Sequence, residues 1–337
     1  MGGIADQRLI RRQESSFRAN GSSSSFVQEM GAKTIEFYSK DRIYSTAFLD
    51  DEKHIVSGDF SGKIRYWRAE DGEEVGKPIN AGSTVMRMAV SQDGNWIVTG
   101  EDDGRVTAWN AQSRKKVTAF KAPDRVDAIA VSPDGEQIAT GTSSDSSPGN
   151  LIVWSISGQK LLGPLEHTDK LAVVKFSPNG GHLIATATSS RESTRVYRTI
   201  NGHLLIDLGP IGVHGNSLIW ASNGRQLFAS FDDDVKFLEV FTGEMTPFGL
   251  PHEFFGFKHI ALASNDSFLA VCHGSLVSFF DTRTYKQIGP VFPHIRPVCR
   301  MAISANNDIM LGGDHKVTIL RNISDILLFH YLDNVSI

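Results

Sequence analysis

The chain has 337 residues, of which 40% are hydrophobic and 21% charged, a balance that suits a folded soluble domain. Its formal net charge of −4 gives no drive toward nucleic acid or acidic membranes. No apolar run reaches the roughly 18 residues of a membrane span, and two cysteines exclude a secreted disulfide scaffold. The expected compartment is therefore a reducing one, the cytoplasm or the nucleus.

From the N-terminus, residues 1–31 are poor in apolar groups and contain the run GSSSS (21–25), so they are expected to form a disordered extension. The opening MGGIADQRLIRRQESS has neither the apolar core of a secretory signal nor the Ser or Thr of a myristoylation site. Next comes AKTIEFYSKDRIYSTAF (32–48), which aligns with KVTAFKAPDRVDAIAV (116–131) further on. By that alignment TIEFY is the last strand of a unit that has no beginning. It is expected to pair with the end of the chain. The tail SDILLFHYLDNV (324–335) competes for the same place, or forms a short capping helix.

Between these ends one sentence recurs. AVSQDGNWIVTG (89–100), AVSPDGEQIATG (130–141) and KFSPNGGHLIATA (175–187) share an alternating strand, a tight turn and a second strand. Gly, Asn and Asp occupy the turns because they tolerate positive φ. A third strand ends in a bulky residue, and a polar turn leads to a fourth. The bulky residues are Trp67, Trp109, Trp154, Tyr197, Leu238, Phe280 and Leu320, spaced 40 to 45 residues apart. Four short strands per repeat, seven times over, predict an all-β, seven-bladed β-propeller of four-stranded antiparallel blades over residues 32–337. A single blade cannot bury both faces, so each needs its neighbours, and the bulky residues are expected between blades.

These residues resemble WD-repeat propellers. GPLEHTDKLAVVKFSPNG (163–180) is similar to the repeat junction of fungal STAND/NACHT-associated WD-repeat arrays. The resemblance implies a buried hydrogen-bonded set of His, turn Asp, second-strand Ser or Thr, and Trp. His167 and His294 match the His, and Asp103, Asp232 and Asp314 match the Asp. The Ser/Thr position reads Ser57, Thr99, Thr140 and Thr186, then Ala229, Val271 and Gly312. No repeat has all four, and no Trp-Asp dipeptide occurs, so rigidity is expected mostly from apolar packing. A buried Thr99 or Thr140 hydroxyl then needs a backbone partner or water.

Catalytic signatures are missing: there is no GxxxxGK[ST], HExxH or GxSxG. Cys272 and Cys299 lie near His273 and His294 at no zinc spacing, so both are read as structural. Lipid-binding propellers carry paired arginines in late blades, whereas Arg11-Arg12 lies in the tail. No cofactor, metal, nucleic acid or membrane is expected, and the chain is read as non-catalytic. What remains is surface. The top face, where fourth-to-first connections and second-to-third turns emerge, collects Arg42, Arg125, Lys170 and Arg296. It also carries the insertions TSSDSSPGN (142–150) and ATSSREST (187–194), with Asp145, Arg191 and Glu192. This is the expected site for a protein or peptide partner, bound by a monomer or within a larger complex. The alternatives are a sensor or ligand-binding module of a STAND-type system and a propeller enzyme with a central-channel site.

Overall fold

A computed structural model describes residues 33–49, 53–143, 149–188, 194–209, 217–231, 234–250, 258–293 and 300–323, with Asp325 and Leu327. Its strands form seven four-stranded antiparallel sheets. Blade 1 comprises Ile43–Phe48, His54–Asp59, Lys63–Arg68 and the short Ile79–Asn80. Blade 2 comprises Val85–Val90, Trp96–Glu101, Arg105–Asn110 and Lys116–Lys121. Blade 3 runs Arg125–Val131, Gln137–Ser143, Asn150–Ser155 and Lys160–Glu166. Blade 4 runs Leu171–Phe176, Leu183–Thr188, Arg195–Arg198 and Leu204–Asp207. Blade 5 holds Leu218–Trp220, Gln226–Ser230, Val235–Glu239 and Glu244–Pro247. Blade 6 holds Lys258–Leu262, Phe268–His273, Leu276–Asp281 and Gln287–Pro293.

Blade 7 takes only three strands from the end of the chain: Arg300–Ile303, Ile309–Gly312 and Lys316–Arg321. Its fourth is Lys33–Tyr38, antiparallel to Lys316–Arg321 with Ile35 opposite Ile319 and Phe37 opposite Val317. The N-terminal strand therefore closes the ring. The tail does something else: Ile323, Asp325 and Leu327 are helical, and Ile323 and Leu327 join the apolar cluster between blades 6 and 7. The extension assigned to residues 1–31 lies outside the described residues.

The first strand of every blade touches that of the next, blade 7 to blade 1 included, so these strands surround the axis. The bulky third-strand residues are all buried, at most 8% exposed. Trp109 packs with Val56 and Tyr66 of blade 1, Trp154 meets Phe120 of blade 2, and Trp67 stacks on Phe37 of the closing strand at 4.5 Å. The tight turns behave as composition predicts. Gly94 and Gly135 have φ of 69° and 73°, and blades 6 and 7 place Asp266 (58°) and Asn307 (62°) in the same conformation.

Candidate interaction face

In blades 1 to 3 the indole N–H of the third-strand tryptophan donates to a second-strand hydroxyl. The distances are 2.8 Å for Trp67 to Ser57, 3.0 Å for Trp109 to Thr99 and 2.9 Å for Trp154 to Thr140. Thr140 passes its own proton to the Ile152 carbonyl, and Thr99 donates to Glu101 and to the Thr107 carbonyl. The expectation of a backbone partner is thus half of the answer; the indole is the other half. Blade 4 builds its version around His167. Its Nδ1 lies 3.1 Å from the Leu165 carbonyl, which only accepts, so Nδ1 carries the proton. Nε2 is then an acceptor, and its one lone pair lies within reach of the Thr186 hydroxyl at 3.1 Å and the Tyr197 hydroxyl at 3.2 Å. Burial lowers the His167 pKa from 6.5 to about 4, which keeps the ring neutral.

Two acidic groups complete blades 1 and 2, and sequence reasoning missed both. Asp59 accepts from Ser61, the Lys63 N–H and Arg65. Glu101 accepts from Thr99 and Thr107 through Oε1, and both carboxylates are wholly buried. The signal was an acid two residues after the Ser or Thr, in SGD and TGE. One alignment is corrected. In blade 7 the residue opposite Met301 is Leu311, as Ser57 is opposite Thr46, so Leu311 rather than Gly312 holds the Ser/Thr position.

The top face rests on these sets, because second-strand ends and first-strand starts meet there. Arg42, in the connection from the closing strand to blade 1, pairs with Asp314 of blade 7 at 3.0 Å and covers the Tyr44 ring at 5.4 Å. Arg125 opens the first strand of blade 3 and pairs with Asp127 at 3.0 Å. Asp127 sits at a β-bulge and also accepts from the Ser143 hydroxyl. Arg87 of blade 2 faces the same group. Burial lowers its pKa, the Asp127 charge raises it, and the Arg125 charge lowers it. Its guanidinium donates to the Met86 carbonyl, and among the described residues it has no ion-pair partner within 4 Å. Two arginines thus stand near the Asp127 carboxylate at the inner rim, and Arg125 is the one that pairs with it.

Lys170 follows Asp169, whose carboxylate accepts the Lys170 backbone N–H at 2.7 Å. Gly149, at the end of the blade 3 insertion, packs so closely on the Asp169 backbone that a Cβ would lie 2.3 Å from its carbonyl oxygen. The insertion therefore ends beside Lys170. Asp145, Arg191, Glu192 and Arg296 lie outside the described residues. Arg125 and Lys170 flank blade 3, whereas Arg42 belongs to the joint of blades 7 and 1. Among the described residues no three His, Cys, Asp or Glu side chains gather as a metal site, and no helix is long and apolar enough to cross a membrane.

Residues 32–68, 76–110 and 114–155 match the family model "WD domain, G-beta repeat". The chain is 29% identical over 145 residues to small ribosomal subunit protein RACK1y of Oryza sativa subsp. japonica, covering 41% of each chain. It is 29% identical over 156 residues to meiotic recombination protein rec14 of Schizosaccharomyces pombe, covering 45% of this chain and 50% of rec14. The match thus spans about half or less of those relatives. The crystal structure of RRP9 WD40 repeats superposes with a TM-score of 0.71 at 16% identity, over 86% of this chain and 96% of that one, a likeness of fold. With three matched repeats, seven four-stranded blades and an indole–hydroxyl pair in each matched blade, the first three blades carry WD repeats and the chain folds as a seven-bladed β-propeller.

Proposed function

We propose that this protein is a non-catalytic interaction scaffold that presents its top face, around blades 3 and 4, to a protein or peptide partner. The observation that carries this reading is a cluster of guanidinium groups at the inner rim, where the half-buried Arg87 donates to the Met86 carbonyl near Arg125, which pairs with Asp127. A partner segment with a carboxylate or phosphate is complementary to this basic cluster, and guanidinium groups recognise such groups by paired hydrogen bonds. Lys170 extends the basic rim to blade 4. Asp145, Arg191 and Glu192 from the two insertions, with Arg42 and Arg296, complete the face assigned from sequence. Relatives named as a ribosomal subunit protein and as an anaphase-promoting complex subunit support membership of an assembly.

The test reverses Arg125 and Lys170 to Glu, checks folding by circular dichroism, and quantifies the partners recovered in affinity purification. Loss of a specific partner is the expected result; recovery of every partner at wild-type level overturns the top-face reading. A second reading places a small anion in the channel, since Lys175 stands accessible on a first strand, makes no ion pair among the described residues, and has its pKa lowered by desolvation within the ring. A thermal-shift screen separates the two. The junction GPLEHTDKLAVVKFSPNG supports a third reading, a sensor module of a STAND-type system, for which an upstream nucleotide-binding reading frame is the check.

A further inference from the structure

The bottom face carries first-to-second and third-to-fourth turns, the latter at the outer rim. From the end of the third strand to the start of the fourth, blade 2 reads NAQSRKK, blade 3 SISGQK and blade 4 RTINGHL, without one acidic residue. The corresponding stretch of blade 1, RAEDGEEVGKPI, has four, and that of blade 5, EVFTGE, has two. The positive arc is therefore bounded on both sides. Lys115, Lys116, Lys160 and Arg198 are exposed along it, and none has an ion-pair partner among the described residues. Nearer the axis, the carboxylates of Asp93 and Asp134 are engaged by the hydroxyls and N–H groups of their own turns.

Apolar side chains interleave with these cations. Val117 is 56% exposed, Leu161 50% and Ile200 88%. Val117 and Leu161 occupy the same place, the second residue of a fourth strand. The three blade edges are also continuous. Thr118 donates to the Ser157 carbonyl of blade 3, Gly158 lies against the Phe120 ring, and Gly202 of blade 4 lies against Leu162 and Leu165. Scattered exposed apolar residues are ordinary on a protein surface. Apolar residues alternating with unpaired cations along one unbroken edge are a defined chemical surface.

We propose that this outer-bottom arc of blades 2 to 4 is a second docking surface, for an acidic protein segment in which carboxylates alternate with apolar side chains. Charge complementarity selects the occupant: the arc offers cations without internal partners, and the apolar residues reward a segment that is more than a run of acids. The surface lies on the opposite face from Arg125 and Lys170 and does not rest on the top-face reading.

The probe is a short fluorescein-labelled peptide alternating Glu with Leu, followed by fluorescence anisotropy at increasing salt. Wild-type protein binds it with an affinity that falls as salt rises. The triple variant Lys115→Glu/Lys116→Glu/Lys160→Glu, and its neutral counterpart with Gln, bind at least about tenfold more weakly. Val117→Ser/Leu161→Ser weakens binding of this peptide but not of an all-Glu peptide. Arg125→Glu/Lys170→Glu binds as wild type, and the converse pattern moves the acidic segment to the top face and overturns the inference. Equal binding by the wild type and both triple variants overturns it, as does no binding at all. A preference for vesicles of phosphatidylserine and phosphatidylcholine over the peptide also overturns it, in favour of a membrane surface.

Discussion

A buried hydroxyl needs a donor and an acceptor, and Thr99 finds them in the Trp109 indole and the Glu101 carboxyl. That acceptor carries a cost. Oε2 of Glu101 is buried without a hydrogen-bond partner, and the Arg105 guanidinium stands 3.8 Å away. Burial raises the pKa from 4.5 to about 7, against the pull of the Thr107 and Thr99 hydroxyls and of Arg105. Between those values the folded state holds a proton that the unfolded chain has released, so stability falls as pH rises from 4.5 toward 7. His167 works the other way. Its pKa falls from 6.5 to about 4, so the unfolded chain binds a proton that the fold does not, and stability falls as pH drops through that range. The two slopes oppose each other and flatten the wild-type profile. Glu101→Gln keeps an acceptor for both hydroxyls and removes the first slope. Its stability relative to wild type is expected to grow from about pH 5 to about pH 8, on a scale of about 3 kcal/mol, read from urea denaturation. A pH-independent difference would mean that Glu101 titrates as it does in water. Trp109→Ala is expected to cost about 3–5 kcal/mol, because it empties the space between blades 1 and 2 and orphans Thr99.

Strands become blades here through glycines as well as tryptophans. A Cβ on Gly58 would lie 2.3 Å from a Val85 methyl, and one on Gly100 2.4 Å from a Val126 methyl. Each glycine lets the next blade's first strand approach the axis. Gly100→Ala is therefore expected to lose about 1–3 kcal/mol by overpacking, and Val126→Ala in the same chain to restore part of it. Additive losses in a denaturation cycle would show that the two sites do not press on each other. The repeat period, the turn chemistry and the seven buried bulky residues were legible in the sequence, because local spacing sets all three. Cross-ring partnerships were not. Arg42 and Asp314 are far apart in sequence yet form an ion pair, so a residue read as an open donor already has an acceptor. The same limit hid Glu101, which reads as one more polar turn residue until the sheet aligns it with Thr99 and Thr107. In blade 7 the register shift from Gly312 to Leu311 follows from pairing with Arg300–Ile303, which no single repeat reveals.

At the scale of the ring, closure joins the two ends of the chain in one sheet. Pairing of Lys33–Tyr38 with Lys316–Arg321 satisfies the outer edge of blade 7 and places Phe37 on Trp67, so the same six residues complete one blade and seal the joint with the next. Ile35 and Phe37 also cover Val317 and Ile319 in the cluster between blades 7 and 1. Deleting residues 1–40 would expose both an unpaired strand edge and this apolar surface, a combination that invites edge-to-edge association. Deleting only residues 1–31 leaves the closing strand in place. Light scattering after size exclusion should find the shorter deletion at the wild-type mass, with an unchanged melting temperature. The longer one should form higher oligomers and melt earlier. A monomeric longer deletion with wild-type melting would transfer closure to the C-terminal segment, whose Ile323 and Leu327 already pack between blades 6 and 7. Equal losses from both deletions would give residues 1–31 a structural part, and closure by Lys33–Tyr38 would then not account for the difference.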